Sequence, residues 1–281
     1  CFPFDVNTED ATFDGSIISG RNFSWRWNAN FSHYTNRILS LDTDLPEKGI
    51  IGSNYVYRIG GSLYEAYMYK YAGVNKDTGA AQYYKEVKDG DTVKDEVTEI
   101  FDEASKYDLG SVLPKLYGGL GTSINAFGLD FSIQLSYQLG GRYYDGNYQA
   151  MMCTQSQVGS NYHKDVLKSW TPENTNTDIP RLDGDYSVGQ SAIDRFLISS
   201  DYLSLNNVTL GYTVPAKRLK NTGLSSMRFY LAGENLAVIS ARKGVDPRFN
   251  YGLGSYTSGS GLNTGAYSAM RTITGGITLT F

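Results

Sequence analysis

The sequence of 281 residues has no apolar run that approaches the roughly 18 residues of a membrane-spanning helix. Its two cysteines, Cys1 and Cys153, are too few for a disulfide scaffold and do not fit the spacing of a zinc site. A net charge of −4 without a basic run excludes nucleic acid as an expected partner. A leader peptide and an initiating Met are missing, so we expect a processed chain or a fragment. A lipidated Cys1 is an alternative, although the apolar segment after it lacks a polar tether.

Proline is also scarce, at 7 residues, whereas glycine at 31 residues and tyrosine at 23 are abundant. Aromatic residues make up 14% of the chain. This composition is typical of many strands joined by tight turns, and it disfavours helices and disorder. We therefore predict an all-β chain.

Strict alternation of apolar and polar residues runs through three segments of the chain. Residues 129–139 place six apolar side chains on one face and polar side chains on the other. Residues 23–31 alternate in the same way, with two tryptophans on the apolar face. The last residues, 271–281, alternate up to a terminal phenylalanine. A period of two residues predicts strands with one apolar face.

Weaker alternation predicts further strands at residues 62–74, 79–87, 113–125, 200–214 and 226–237, with a partial strand near 1–14. The total is about nine. Several of them keep the alternation for ten residues, close to the roughly 9–11 needed to cross a bilayer and above the mean of about 5–6 in soluble proteins.

The predicted connections alternate between long and short, as in outer-membrane barrels. The long ones are 37–61, 88–112, 141–199 and 238–270, and the short ones are 75–78, 126–127 and 215–225. We therefore predict a transmembrane antiparallel β-barrel. A secreted, soluble carbohydrate-binding β-domain is the alternative from another class.

In the barrel interpretation, the polar side of each strand faces the lumen. Five polar residues share that side by parity: Arg26, Asn28, Asn30, Asp130 and Gln134. Aromatics near strand ends, such as Trp25, Tyr137 and Tyr212, are expected at the membrane interfaces.

Several motifs resemble one known family. They are the run Trp170–Asp178 (WTPENTNTD) with Pro180 and Arg181, then DRFLISSDYLSLNNVTLGYTVP, FYLAGENLAVIS, KGVDP and the terminal LTF. AYMYKYAGVNKDTG and LPKLYGGLGTS fit as well. Together these segments resemble, in order and over nearly the whole chain, the C-terminal barrel portion of SusC-like TonB-dependent transporters of Bacteroidetes.

The resemblance implies a 22-stranded, plugged outer-membrane barrel, of which residues 1–281 supply about nine C-terminal strands. It implies import of oligosaccharides or peptides, a SusD-like surface lipoprotein as partner, and energy from the TonB complex. The plug and the TonB-contacting segment are not in this sequence. A passive porin is the alternative within membrane proteins.

Motifs for catalysis are not found in the sequence. It has no nucleophile elbow, P-loop or HExxH motif, and His33 and His163 lie in separate segments. We expect no enzyme activity, no cofactor and no metal. The glycine-rich segment 118–124 is interpreted as a strand, and the acidic segment 88–99 as a solvated loop, although calcium binding by this loop stays open.

Tyrosines and planar polar groups in the long loops are the candidate substrate contacts, since sugars stack on aromatic rings. The candidates are Tyr143, Tyr144, Asp145, Asn147, Tyr162, Tyr186, Tyr251 and Tyr256. We interpret the loop that begins at Trp170 and Pro172 as a rigid external structure. At the chain end, Ile277, Leu279 and Phe281 are expected to form the signal that the outer-membrane assembly machinery recognises.

Overall fold

The computed structural model describes residues 3–42, 48–90, 92–152, 161–182, 192–244, 246–248 and 269–281. The strands are β1 (Phe4–Ser19), β2 (Phe23–Ile38), β3 (Ile50–Ile51), β4 (Tyr55–Tyr57), β5 (Glu65–Tyr69), β6 (Tyr71–Val74), β7 (Ala81–Asp89), β8 (Thr92–Thr98), β9 (Lys106–Ser111), β10 (Leu116–Ala126), β11 (Leu129–Leu139), β12 (Arg142–Tyr144), β13 (Leu197–Ser199), β14 (Tyr202–Thr213), β15 (Ser226–Ser240) and β16 (Thr272–Thr280). The α-helices are α1 (Gly146–Met152) and α2 (Ala216–Leu219), and 3-10 turns occur at Phe101–Glu103, Lys164–Lys168 and Asp194–Phe196. The all-β prediction is confirmed.

One long antiparallel sheet dominates the described residues. It has seven strands in the order β1-β2-β10-β11-β14-β15-β16. Strands β10 and β11 have 11 residues each. At about 3.4 Å per residue and a tilt of about 40°, they rise roughly 26 Å, which matches the apolar band of about 25 Å in outer-membrane barrels. We call this sheet the wall.

The wall has fewer strands than the nine predicted. Residues 62–74 and 79–87 do form strands, but these belong to smaller sheets, β3-β4-β5-β9 and β6-β7-β8. The two segments and the connections predicted around them are parts of one long excursion between β2 and β10, residues 39–115. The alternation of connections persists with seven strands. Residues 20–22, 127–128 and 214–225 form short connections, and residues 39–115, 140–201 and 241–271 form long ones.

The wall has one apolar face, and none of the other described elements covers it. In one row across it, Phe13 pairs with Ala29, Ala29 with Leu120, and Leu120 with Leu135. On β16, Ile273 is 69% exposed on the same face. A soluble sandwich would bury such a face, whereas a barrel wall presents it to lipid. No helix among the described residues has the length and apolar character to cross a membrane.

The short connections, residues 20–22, 127–128 and 214–225, lie at one end of the wall, which we call the short-turn end. Backbone hydrogen bonds join neighbouring strands and turns there. Between β10 and β11, Phe127 and Gly128 both have positive φ, 50° and 92°. A Cβ on Gly128 would lie 2.7 Å from the carbonyl oxygen of Thr213, so only glycine fits there without displacement. The donor–acceptor pairs along this rim are Phe127 N to Asn22 O (3.0 Å), Thr213 N to Gly128 O (2.7 Å), Val214 N to Met227 O (2.9 Å) and Ser225 N to Thr280 O (2.7 Å).

The first two long loops share a hydrophobic core of their own. Residues 39–115 contribute Ala66, Met68, Tyr83 and Val112, and residues 140–201 contribute Tyr144, Met152, Ile179, Ile193 and Phe196. The backbone N–H of Tyr69 donates to the carbonyl oxygen of Ala192 at 3.0 Å and joins the loops directly. We call this unit the loop body.

The Trp170 motif is docked on the turn between β6 and β7. The indole Nε1 of Trp170 donates to the carbonyl oxygen of Lys76 at 2.9 Å. The ring lies against Gly79, where any Cβ would contact it. Arg181, at the end of the motif, donates from its backbone N–H to the carbonyl oxygen of Gly79 at 2.9 Å. These contacts hold the motif against the turn, and its interpretation as a rigid external structure stays a prediction.

The two segments with possible ligand chemistry are both strand structures. The glycine-rich residues 118–124 lie within β10, as predicted. The acidic segment 88–99 is mostly strand β8, paired with β7 in a hairpin, so its interpretation as a loop was wrong. No group of three or more His, Cys, Asp or Glu side chains able to hold a metal occurs in the part of the chain that the structure describes.

Candidate functional site: the polar face of the wall

Strand pairing aligns planar polar side chains in one row on the polar face. Asp14 on β1 pairs with Asn28 on β2, and Asn28 pairs with Gly121 on β10. Gly121 pairs with Gln134 on β11, and from there the row continues through Asn207 on β14 to Glu234 on β15. We call Asp14, Asn28, Gln134, Asn207 and Glu234 the planar belt. Its carboxylate and amide groups are suited to hydrogen bonding of hydroxyls or peptide groups.

Gly121 leaves the space in which two amides of the belt converge. A Cβ at this position would contact the Asn28 Oδ1 atom and the carboxamide of Gln134. These side chains lie over the glycine from the strands on either side. The glycine therefore brings two amide groups together at the centre of the belt.

A depression of about 450 Å³ lies at this part of the polar face. Asp14, Arg26, Asn28 and Gln134 contribute to its lining. It combines an acidic group, a basic group and two amides, so it offers donors and acceptors together. A polar molecule can be hydrogen-bonded there without a strong preference for either charge.

Two β-bulges interrupt the wall directly beside the belt. The register shifts around Asn206 on β14, and Asn235 on β15 has a φ of 50°. Arg248, from the third long loop, donates from Nη1 to Asn206 Oδ1 at 3.1 Å and to Asn235 Oδ1 at 3.2 Å. Bulges re-aim side chains, and here they turn two asparagines towards one arginine.

Asp246 holds this arginine in place. Its carboxylate accepts from Arg248 Nε at 2.9 Å and from Arg248 Nη2 at 2.6 Å. Burial raises the pKa of Asp246, but the hydrogen bonds from the Arg248 side chain and backbone outweigh it, so this pKa is lower than usual. The carboxylate stays ionised and neutralises the arginine at the edge of the belt.

A second ion pair lies on the polar face nearer the short turns. Arg228 donates to Asp130 from Nη2 at 2.5 Å and from Nε at 3.2 Å, in a two-point arrangement. The guanidinium lies 5.5 Å from the ring centre of Tyr230. Both side chains cross Gly211, which pairs with Asp130 and Tyr230. This pair crosslinks β11 and β15 over β14.

The site residues predicted from the sequence lie in different environments in the structure. Arg26, Asn28, Asn30, Asp130 and Gln134 all lie on the polar face by register. Tyr143, Tyr144 and Asp145 are buried in the packing of the loops, with Tyr144 only 6% exposed. Because other parts of the protein cover these three side chains, we leave them out of the candidate site.

The remaining candidates are spread over the long loops. Asn147 lies in α1 and is half-buried, and Tyr162 is exposed. Tyr186, Tyr251 and Tyr256 fall outside the described residues. At the chain end, Ile277 pairs with Phe229 and Leu279 with Met227, while Phe281 is 87% exposed.

Sequence reasoning missed Asp14, Asn207, Glu234 and Arg248. The bulges invert the parity within β14 and β15, so simple alternation assigns no consistent face to Asn207 and Glu234. The adjacent asparagines at 206 and 207, in the middle of an apolar alternation, were the available signal. For Arg248 the sequence carries no such signal, because a loop contact across the fold has no local pattern.

Comparisons with known proteins agree with this architecture. No family model matches the chain. Two proteins of Formosa agariphila, TonB-dependent receptor P3 and TonB-dependent receptor P26, are each 27% identical to it, over 100% and 99% of the chain. The chain spans 28% of the length of each of these relatives.

Solved structures give the same result for the fold. A structure of the RagAB peptide transporter aligns with 99% of this chain and 29% of its own, with a TM-score of 0.80 and 25% identity. The RagAB peptide importer in its open-open state aligns with a TM-score of 0.77 and 24% identity, over 99% of this chain and 29% of its own. The motifs, the two-faced wall and these comparisons together support the identification of the chain as a SusC-like TonB-dependent transporter fragment that forms part of an outer-membrane β-barrel.

Proposed function

We propose that the full-length protein is an energy-dependent importer of oligosaccharides or peptides, and that this chain supplies seven strands of its barrel wall. The polar face would line the lumen, with Arg26, Asn28, Asn30, Asp130 and Gln134 directed into it. The plug and the TonB-contacting segment would come from parts of the protein outside this chain. The partners would be the TonB complex and a SusD-like surface lipoprotein.

The observation that carries this proposal is the planar belt on a wall whose other face is apolar. A wall built only to seal a membrane needs no row of amides and carboxylates at one height. Both sugars and peptides present hydroxyl, carbonyl or N–H groups that such planar groups hydrogen-bond. The likeness to a peptide transporter supports the same class of cargo.

We propose no enzymatic role. The names of the relatives and of the similar structures refer to receptors, transporters and importers. Among the loop candidates, Asn147 and Tyr162 stay predicted contacts with substrate. Ile277, Leu279 and Phe281 stay the predicted assembly signal.

Uptake by cells that express the full-length protein tests the proposal. Labelled peptides and oligosaccharides would be supplied, and the energy of the inner membrane would be removed with a protonophore. Uptake that stops with the protonophore is expected. Uptake that continues at the same rate would identify a passive porin instead.

The belt is tested with a double variant in the same cells. Asn28→Leu with Gln134→Leu removes both central amides and keeps side-chain size, so we expect uptake to fall about tenfold at equal outer-membrane levels. The matched control is Ile133→Leu, on the apolar face beside Gln134, which should transport normally. Unchanged uptake in the double variant would remove the belt from the transport path.

A further inference from the structure

The third long loop, residues 241–271, leaves β15 beside the loop body. The first two long loops share the core of the loop body, but the third contributes no residue to that core among those described. Contacts at its root, residues 241–244, are therefore the described link between this loop and the loop body.

Asp145 is a buried acid within the loop body. Its side chain is 5% exposed. Within its own loop, its Oδ1 atom accepts from the backbone N–H of Tyr148 at 3.0 Å. One neutral donor does not compensate the burial of a full negative charge, so the fold requires a cation at this place.

Arg242, two residues after the end of β15, supplies that cation. Its Nε atom lies 2.5 Å from Asp145 Oδ2, in an ion pair. Its guanidinium lies 3.5 Å from the ring centre of Tyr148, close enough to stack on the ring. The root of the third loop is thus inserted between an acid and an aromatic ring of the second.

Tyr148 transmits this contact further into the loop body. Its ring packs against Phe196 in the shared core and against His163. Its hydroxyl donates to Asp165 at 3.1 Å. A displacement of Arg242 therefore disturbs Tyr148 in α1 and the residues that pack against its ring.

We propose that Arg242 is a latch that couples the third long loop to the loop body. While the latch is closed, residues 241–244 move together with the loop body. When Arg242 withdraws, Asp145 is left as a buried charge without its cation, and α1 and its surroundings loosen with the third loop. Among the described contacts, the ion pair and the stacking of Arg242 thus join the root of the third loop to the loop body.

Hydrogen exchange followed by mass spectrometry on the full-length protein in detergent tests the latch. In Arg242→Gln, we expect amide exchange in both 142–152 and 241–244 to be at least fivefold faster than in wild type. Asp145→Asn should accelerate exchange in the same two segments. Arg242→Lys keeps the charge but loses the flat group that stacks on Tyr148, so its exchange should be intermediate.

A neighbouring ion pair gives the matched control. Lys168 contacts Asp165 at 3.0 Å, but its side chain is 71% exposed. Lys168→Gln should leave exchange in 241–244 unchanged. If Arg242→Gln fails to reach the membrane, Arg242→Lys and Asp145→Asn carry the test. Acceleration confined to the mutated loop, in either direction, would show that the loops are independent and would overturn the proposal.

Discussion

The wall and the loop body are both built from antiparallel strands, but they place their apolar side chains in opposite ways. In the loop body, residues such as Met68, Tyr83 and Phe196 are buried against each other, as in a soluble protein. In the wall, residues such as Leu231 and Ile273 point outward and remain exposed. Similar strands therefore have their apolar faces covered by two different environments. Lipid covers the apolar face of the wall, whereas packed side chains cover the apolar residues of the loop body.

The largest expected effect is on the core of the loop body. Phe196→Ala removes a ring that is 3% exposed, and should destabilise the loop body by about 3–5 kcal/mol. The wall should be affected little, because this ring has no role in it. Limited proteolysis of the loops in the intact protein, beside thermal unfolding of the barrel, measures both.

The control for that prediction is Leu167→Ala. Leu167 is among the exposed residues of the same loop, so its truncation should change stability by less than about 0.5 kcal/mol. Equal protease sensitivity in the two variants would mean that the loops have no cooperative core.

The second effect concerns the face of the wall. Ile133→Arg, near the middle of β11 on the apolar face, should cost roughly 2–4 kcal/mol, because it places a charge in the centre of the bilayer. Gln134→Arg, one residue further and on the other face, should cost much less. Unfolding of both variants in lipid bilayers decides the matter, and equal tolerance would mean that the two faces have been assigned the wrong way round.

The third effect concerns the docking of Trp170. Gly79→Ala should destabilise the docked motif by about 1–3 kcal/mol, because Gly79 has a φ of 74° and a Cβ there meets the indole. Gly90→Ala is the matched control, with a φ of 63° and open space around its Cβ position. If protease cleaves residues 161–182 faster in Gly79→Ala but not in Gly90→Ala, the contact with the indole stabilises the docked motif. Equal cleavage rates in the two variants would refute this prediction.

The smallest effect on stability is expected at the end of the wall. Phe281→Asp places a charge near the interface, where the direct cost is only about 0–1 kcal/mol. If the terminal aromatic is an assembly signal, the amount in the outer membrane should fall far more than the melting temperature of the inserted protein. Normal levels after membrane fractionation would mean that Phe281 carries no assembly information.

Wall strands could be predicted from the sequence wherever apolar and polar residues alternate without a break. Residues 23–31, 129–139 and 271–281 were assigned from their period of two; the first two ranges lie in β2 and β11, and the third extends one residue beyond β16 at each end. The predicted number of barrel strands was too high, because strands in the loop body show a similar alternation of apolar and polar residues. Local alternation does not tell whether lipid or protein covers the apolar face.

The planar belt could be predicted only in part. Asn28 and Gln134 were assigned to the polar side, but their alignment depends on β10 pairing with β2, whose sequence positions are far apart. Such a register is set by long-range pairing and not by local pattern. The same limit applies to Arg242 and Asp145, which meet only because two long loops fold against each other.

The chain of hydrogen bonds at the short-turn rim has a mechanical consequence. Each strand end there is tied to its neighbour through a turn or strand-end amide, as between Phe127 and Asn22. An edge tied in this way resists separation of its strands, because several hydrogen bonds must stretch together. At the opposite end the strands are joined by long excursions instead. Stiffness in the wall is therefore concentrated at the edge with the short turns, and the opposite edge is the more compliant of the two.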